Sequence, residues 1–153
     1  MTPARHRLLS TVLALFAVTG PALAADGGVS VRDAWARATP PGMSVAAAYM
    51  TIVGGAQDDR LVSAATERAG MTQIHVVTEA EGMARMRPVD GVEVPARKTV
   101  LLAPQGLHLM LMNLSRPLVA GERFLVTLTF ARAGQLDVDV AVRAPDESPP
   151  PVH

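Results

Sequence analysis

The sequence contains no cysteine. That excludes disulfides, thiolate metal sites, thiol nucleophiles and dithiol redox pairs, and it leaves the hydrophobic core alone to stabilise the fold. Aromatic residues are also scarce: one Trp, one Tyr and three Phe, which is too few for a base-stacking surface. No sign of charge dominates, with 14 Lys and Arg against 14 Asp and Glu. Arg5 and Arg7 belong to an N-terminal leader, so the remaining chain is slightly acidic. A nucleic-acid or anionic-lipid binder shows a basic excess instead. Beyond the leader no apolar run is long enough to cross a bilayer. Nucleophile elbows, phosphate loops, paired catalytic carboxylates and internal repeats are all missing.

The leader itself is informative. "MTPARHRLL" supplies positive charge, "LLSTVLALFAVTG" an apolar stretch, and "ALA" at 22–24 a small-x-small cleavage site. This is the pattern of a secretory signal peptide cleaved near Ala24, over residues 1–24. A single β domain is expected over 25–143, long enough to bury a core. The Pro-rich, acidic end, 144–153, reads as a disordered tail.

No long segment has a period of 3.6 residues. Short strand-like runs follow one another with turn signals between them, which predicts an all-β fold, an antiparallel Greek-key sandwich or barrel. "VAAAYMTIVG" is apolar throughout and reads as a buried strand. In "RFLVTLTFA" and "QLDVDVAVR" the alternation assigns Phe124, Val126, Leu128 and Phe130, and Leu136, Val138, Val140 and Val142, to core faces. "DG" at 90–91 is a tight-turn signal.

Methionine is abundant where aromatics are not: eight residues, all but Met1 after the leader. The stretch "GLHLMLMNL" sets Leu107, Leu109 and Leu111 on one strand face and His108, Met110 and Met112 on the other. His108 and Met110 stand about 6.5–7 Å apart, close enough to converge on one ion, whereas Met112 is roughly 13 Å from His108 and is assigned to packing. A second such pair comes from the hairpin around "EAEG". A two-residue loop at Ala80-Glu81, or a four-residue loop from Glu79 to Gly82, puts His75 directly opposite Met86 and Met83 opposite Thr78 on the other face. Met50 falls in the core; Met43, in a Pro-Pro-Gly-Met loop, is left open, as is the role of Met83.

Two imidazoles and two thioethers, with neither carboxylate nor thiolate, form a soft and neutral donor set. It suits Cu(I) far better than Zn, Mg, Ca or Mn. The spacing His75, ten residues, Met86, twenty-one residues, His108, one residue, Met110 resembles the copper motif of the PCuAC-type periplasmic copper chaperones. The stretches "DAWARATPPGMSVAAAYMTI", "MARMRPVDGVEVPA" and "HLMLMNL" resemble that family as well, over about Val29 to Val142. Many members carry Met directly after the first His, where this chain has Val76, and the long His/Met-rich tail of some relatives is reduced to "PPPVH" with His153. The resemblance implies a cupredoxin-like β-barrel in the periplasm. It also implies one Cu(I) per chain, held by His75, Met86, His108 and Met110. Delivery towards cytochrome c oxidase assembly is implied too, with a Sco-type thioredoxin-like factor or oxidase subunit II as acceptor.

Other readings make different demands. A blue-copper electron carrier needs a Cys thiolate, which is missing. A metal-dependent enzyme could use a two-His, one-carboxylate iron site drawing on Glu79, Glu81 or Asp90. A periplasmic copper storage or tolerance protein would use the same ligands without delivery. An adhesion or assembly module with an incidental Met cluster would show no metal effect on melting. A carrier is expected to act as a monomer with its four ligands at one exposed end of the barrel.

Overall fold

The computed structural model describes residues 28–147. The expected signal peptide, its cleavage point near Ala24, and His153 with most of the tail lie outside the described residues. Ten strands follow in order: β1 (Ser30–Arg37), β2 (Val45–Val53), β3 (Asp59–Ala65), β4 (Ala69–Ala80), β5 (Met83–Pro88), β6 (Val92–Val94), β7 (Thr99–Leu102), β8 (Leu107–Leu114), β9 (Arg123–Phe130) and β10 (Gly134–Arg143). Among the described residues there is no helix.

The strands form one sheet in the order β5-β4-β8-β2-β1-β10-β9-β3-β6, with β7 also paired to β2. Neighbours in this order are mostly distant in sequence, as Greek-key connections require. The sheet folds over so that one core is enclosed between its two halves. Strict alternation decides which side chains enter it. Phe124, Val126, Leu128 and Phe130 of β9, and Val138, Val140 and Val142 of β10, are all buried there, and Leu136 packs against its margin. From the other half come Ala46, Ala48, Met50 and Ile52 of β2, Leu109 and Leu111 of β8, and Ile74 of β4.

Three features depart from the sequence expectation. β1 pairs with β10 in parallel, so the sheet is mixed rather than wholly antiparallel. β1 itself carries a bulge between Arg32 and Trp35, with Asp33 at φ 54°. The bulge explains why the apolar positions of β1 break step between Val31 and Ala34, since one extra residue exchanges the two faces. Finally, Asp90-Gly91 does not close a hairpin: β6 leaves β5 and pairs with β3. Gly91 is needed for close approach, because a Cβ there would lie 2.6 Å from the Leu61 carbonyl oxygen.

Away from the sheet faces, Asp59 fastens the β3 start to the β9–β10 turn. Its carboxylate accepts the backbone N–H groups of Arg60, Arg132 and Ala133 at 2.7, 2.8 and 2.9 Å. Burial pushes this carboxyl up, but the three donors and the charge of Arg132 outweigh it, and the net position is below the ordinary carboxylate value.

Candidate metal centre

The pairing of β4 with β8 sets His75 directly opposite His108. Gln73 faces Met110 and Met71 faces Met112 in the same register. Because opposed residues share a face and alternate residues return to it, His75, Gln73 and Met71 lie on one side with His108, Met110 and Met112. The intervening Ile74, Leu109 and Leu111 fill the core, so the His/Met side is the outer face of the sheet. The core residues anchor both strands and thereby fix the positions of the two imidazoles.

The imidazole rings stand with centroids 5.9 Å apart at an interplanar angle of 62°. A metal–imidazole bond of about 2.0 Å and a ring radius of about 1.2 Å place an ion about 3.2 Å from each centroid, so rings sharing an ion stand no more than about 6.4 Å apart. The observed spacing falls inside that limit. Each ring is also held by one nitrogen. His108 Nδ1 donates to the Gly106 carbonyl at 3.0 Å, and His75 Nε2 donates to Gln73 Oε1 at 3.0 Å. The other nitrogens, His75 Nδ1 and His108 Nε2, are buried without a hydrogen-bond partner. One N–H fixed by a neighbour and one lone pair left free is the arrangement of metal-ligating histidines. Burial lowers the His75 pKa below the ordinary imidazole value, with the nearby His108 adding to the effect, so the lone pair stays unprotonated at neutral pH.

Support continues along the same row. Tyr49 of β2 stands 6.3 Å from the His108 ring, and Trp35 of β1 stacks on Tyr49 at 4.7 Å with the Arg37 guanidinium 5.9 Å from its own ring. His108 is thus only 3% exposed although it points away from the main core. None of these supporting contacts was read from the sequence. Gln73 and Gly106 each lie two residues from a histidine, but nothing local marks them as its partners. The His75–His108 pairing joins segments whose relative register leaves no local trace.

The methionines need correction. The β4–β5 turn is the two-residue Glu81-Gly82, both at positive φ (55° and 74°), closed by Ala80 opposite Met83. Both positive angles are those of a type I′ hairpin. His75 therefore opposes Pro88, and Met86 opposes Val77, two pairs further towards the turn. Met86 keeps its expected face, as does Met83 on the other side, but neither has the partner expected. Met86 is 50% exposed and Met83 54%. Met110 and Met86 thus flank the histidine pair in opposite directions along the strands. Met50 is in the core as expected; Met112 is not, lying half-buried on the outer face beside Met71. Met43 is exposed ahead of β2. The four expected ligands lie on the outer face, with His108, the second residue of β8, next to the β7–β8 turn.

Carboxylates take no part. Glu79, Glu81 and Asp90 are exposed, and among the described residues no three His, Cys, Asp or Glu side chains gather as a metal-holding group. The two-His, one-carboxylate arrangement considered above is therefore not assembled. What remains is a pair of free imidazole lone pairs flanked by thioethers.

Known proteins place this arrangement in context. Residues 29–142 match the family described as "Putative lipoprotein LpqE-like". The chain belongs to this PCuAC-type family. A relative from Leifsonia xyli subsp. xyli, "Putative lipoprotein Lxx21020", is 36% identical over 125 residues, 80% of this chain and 74% of that protein. Among solved structures, the copper-bound PCuAC domain from PmoF2 superposes with a TM-score of 0.67 at 29% identity, covering 79% of this chain and 97% of that one. The solution structure of CuI-DR1885 from Deinococcus radiodurans gives a TM-score of 0.61 at 38% identity, covering 74% and 77%. The fold of this family member is accordingly the cupredoxin-like β-sandwich expected from the sequence.

Proposed function

We propose that the protein is an exported, non-enzymatic Cu(I) carrier that binds one Cu(I) as cargo through His75, Met86, His108 and Met110. The observation that carries this reading is the pair of buried, unpartnered nitrogens on two rings 5.9 Å apart. An orphaned buried polar atom costs about 1–3 kcal/mol, and two of them side by side call for a function. Thioether donors narrow the cargo to a soft monovalent ion and require no deprotonation. The copper-bound PmoF2 domain and CuI-DR1885 support the same choice by likeness, and the lipoprotein names of the relatives support export. Delivery goes to the oxidase assembly route, with a Sco-type thioredoxin-like factor or oxidase subunit II as acceptor. The neutral ligand set leaves the charge of the ion uncompensated, which favours release to such an acceptor.

The test is a competition titration with a Cu(I) chelator of known affinity. The parent protein should take up one equivalent. The double variant Met86→Ala, Met110→Ala should bind at least tenfold more weakly. Equal affinity in parent and variant overturns the ligand assignment. Copper transfer, followed by mixing the loaded protein with the apo acceptor, tests delivery separately from binding.

A further inference from the structure

Met71 and Met112 have no place in the four-ligand set, and neither belongs to the core. Met71 is 49% exposed although it lies within β4, and Met112 is half-buried directly across from it on β8. Directly opposed Cβ atoms are about 4.5–5.5 Å apart, and each thioether has three rotatable bonds with which to reach a common point. The pair stands on the same outer face as the histidines, two rungs along. The rungs run His75/His108, Gln73/Met110, Met71/Met112, with a spacing of about 6.5–7 Å between successive rungs.

We propose that Met71 and Met112 form a second, weaker thioether site for Cu(I), adjoining the histidine site through Met110. A pair of thioethers without carboxylate or imidazole holds a soft monovalent cation and little else. It lacks the two nitrogen donors of the first site and so fills after it. Met110, on the rung between, is within side-chain reach of both neighbouring rungs and can exchange one donor for another as the ion moves. The step is a ligand exchange: one Cu–S or Cu–N bond forms as another breaks, with no change of oxidation state. The β4–β8 ladder thereby offers a graded path from a tight site to a loose one. This inference rests on the Cu(I)-carrier reading above.

The experiment uses the folded protein labelled with 13C-methyl methionine and titrated with Ag(I), a redox-inert substitute for Cu(I). The first equivalent should move the Met86 and Met110 methyl resonances. The second should move Met71 and Met112 together, at an Ag(I) concentration at least about tenfold below that needed to move Met83, a single exposed thioether on the other face, because two donors on one scaffold act at high effective concentration. The double variant Met71→Leu, Met112→Leu keeps size and apolarity, so a packing or docking role would survive it. It should abolish the second phase and leave the first intact. If Met71 and Met112 stay still, or respond only together with Met83, the second site is refuted. If Met86 and Met110 fail to move with the first equivalent, the carrier reading fails instead.

Discussion

Replacing His108 by leucine should make the metal-free protein more stable while abolishing its response to metal. His108 Nε2 is buried with no partner, and removing such an atom recovers about 1–3 kcal/mol. The substitution also loses the Nδ1–H bond to the Gly106 carbonyl, which contributes about 0.5–1.5 kcal/mol. That carbonyl is not left bare, because it also accepts the Val77 N–H at 3.2 Å. The balance is a gain of about 1 kcal/mol, or roughly 3–5 °C in Tm for a domain of this size. The parent, by contrast, should gain about 2.7 kcal/mol when free Cu(I) is a hundred times Kd, and the variant almost none. The assay is a thermal melt of both proteins with and without Cu(I) under reducing conditions. A variant that melts well below the parent without metal would show that His108 is a structural residue. A variant that Cu(I) still raises as much as the parent would show that His108 is no ligand.

Three further outcomes concern the scaffold. Asp59→Ala leaves three backbone donors without their acceptor and should cost about 3 kcal/mol in a urea titration; a loss below 0.5 kcal/mol, an order-of-magnitude floor for one hydrogen bond, would show the clamp to be idle. The Asp59 carboxyl sits below its ordinary value when folded, so its contribution is present above the unfolded pKa, about 3.9, and is lost as pH falls through the folded value; Asp59→Asn should flatten that acid limb. Glu81 occupies a left-handed position in the β4–β5 turn, and Glu81→Asn, giving the Asn-Gly pair such turns favour, should raise stability by about 0.5–1 kcal/mol by the same melt.

The parts of the fold that could be read from the sequence are those governed by local periodicity. β8, β9 and β10 alternate strictly, and their inward and outward faces fall as the pattern requires. The two faces of "GLHLMLMNL" are likewise real, and His108 and Met110 do share one. Register across a turn is less legible, because it depends on which residues accept positive φ. Ala80-Glu81 and Glu81-Gly82 differ by one position, yet the shift moves every opposed pair and takes Met86 from His75 to Val77. Register between distant segments is not legible at all. The His75–His108 contact and the parallel β1–β10 pair are set by how the whole sheet closes. Distance from His108 by itself points Met112 to packing; only the β4 pairing shows it beside a second thioether.

The strand that carries Met86 has a consequence for how cargo leaves. β5 is the outermost strand on its side of the sheet, every one of its residues is exposed, and it sends no side chain into the core. Arg85, Arg87 and Pro88 also discourage another chain from pairing with it. Such a strand opens at a free-energy cost far below that of unfolding the domain. On the proposed ligand assignment, Met86 is thus mounted on a door and the two histidines on the wall. In the proposed transfer, an acceptor would draw Met86 away and take its place while the histidines hold the ion, so hand-off would call for opening one hairpin and not for unfolding the domain.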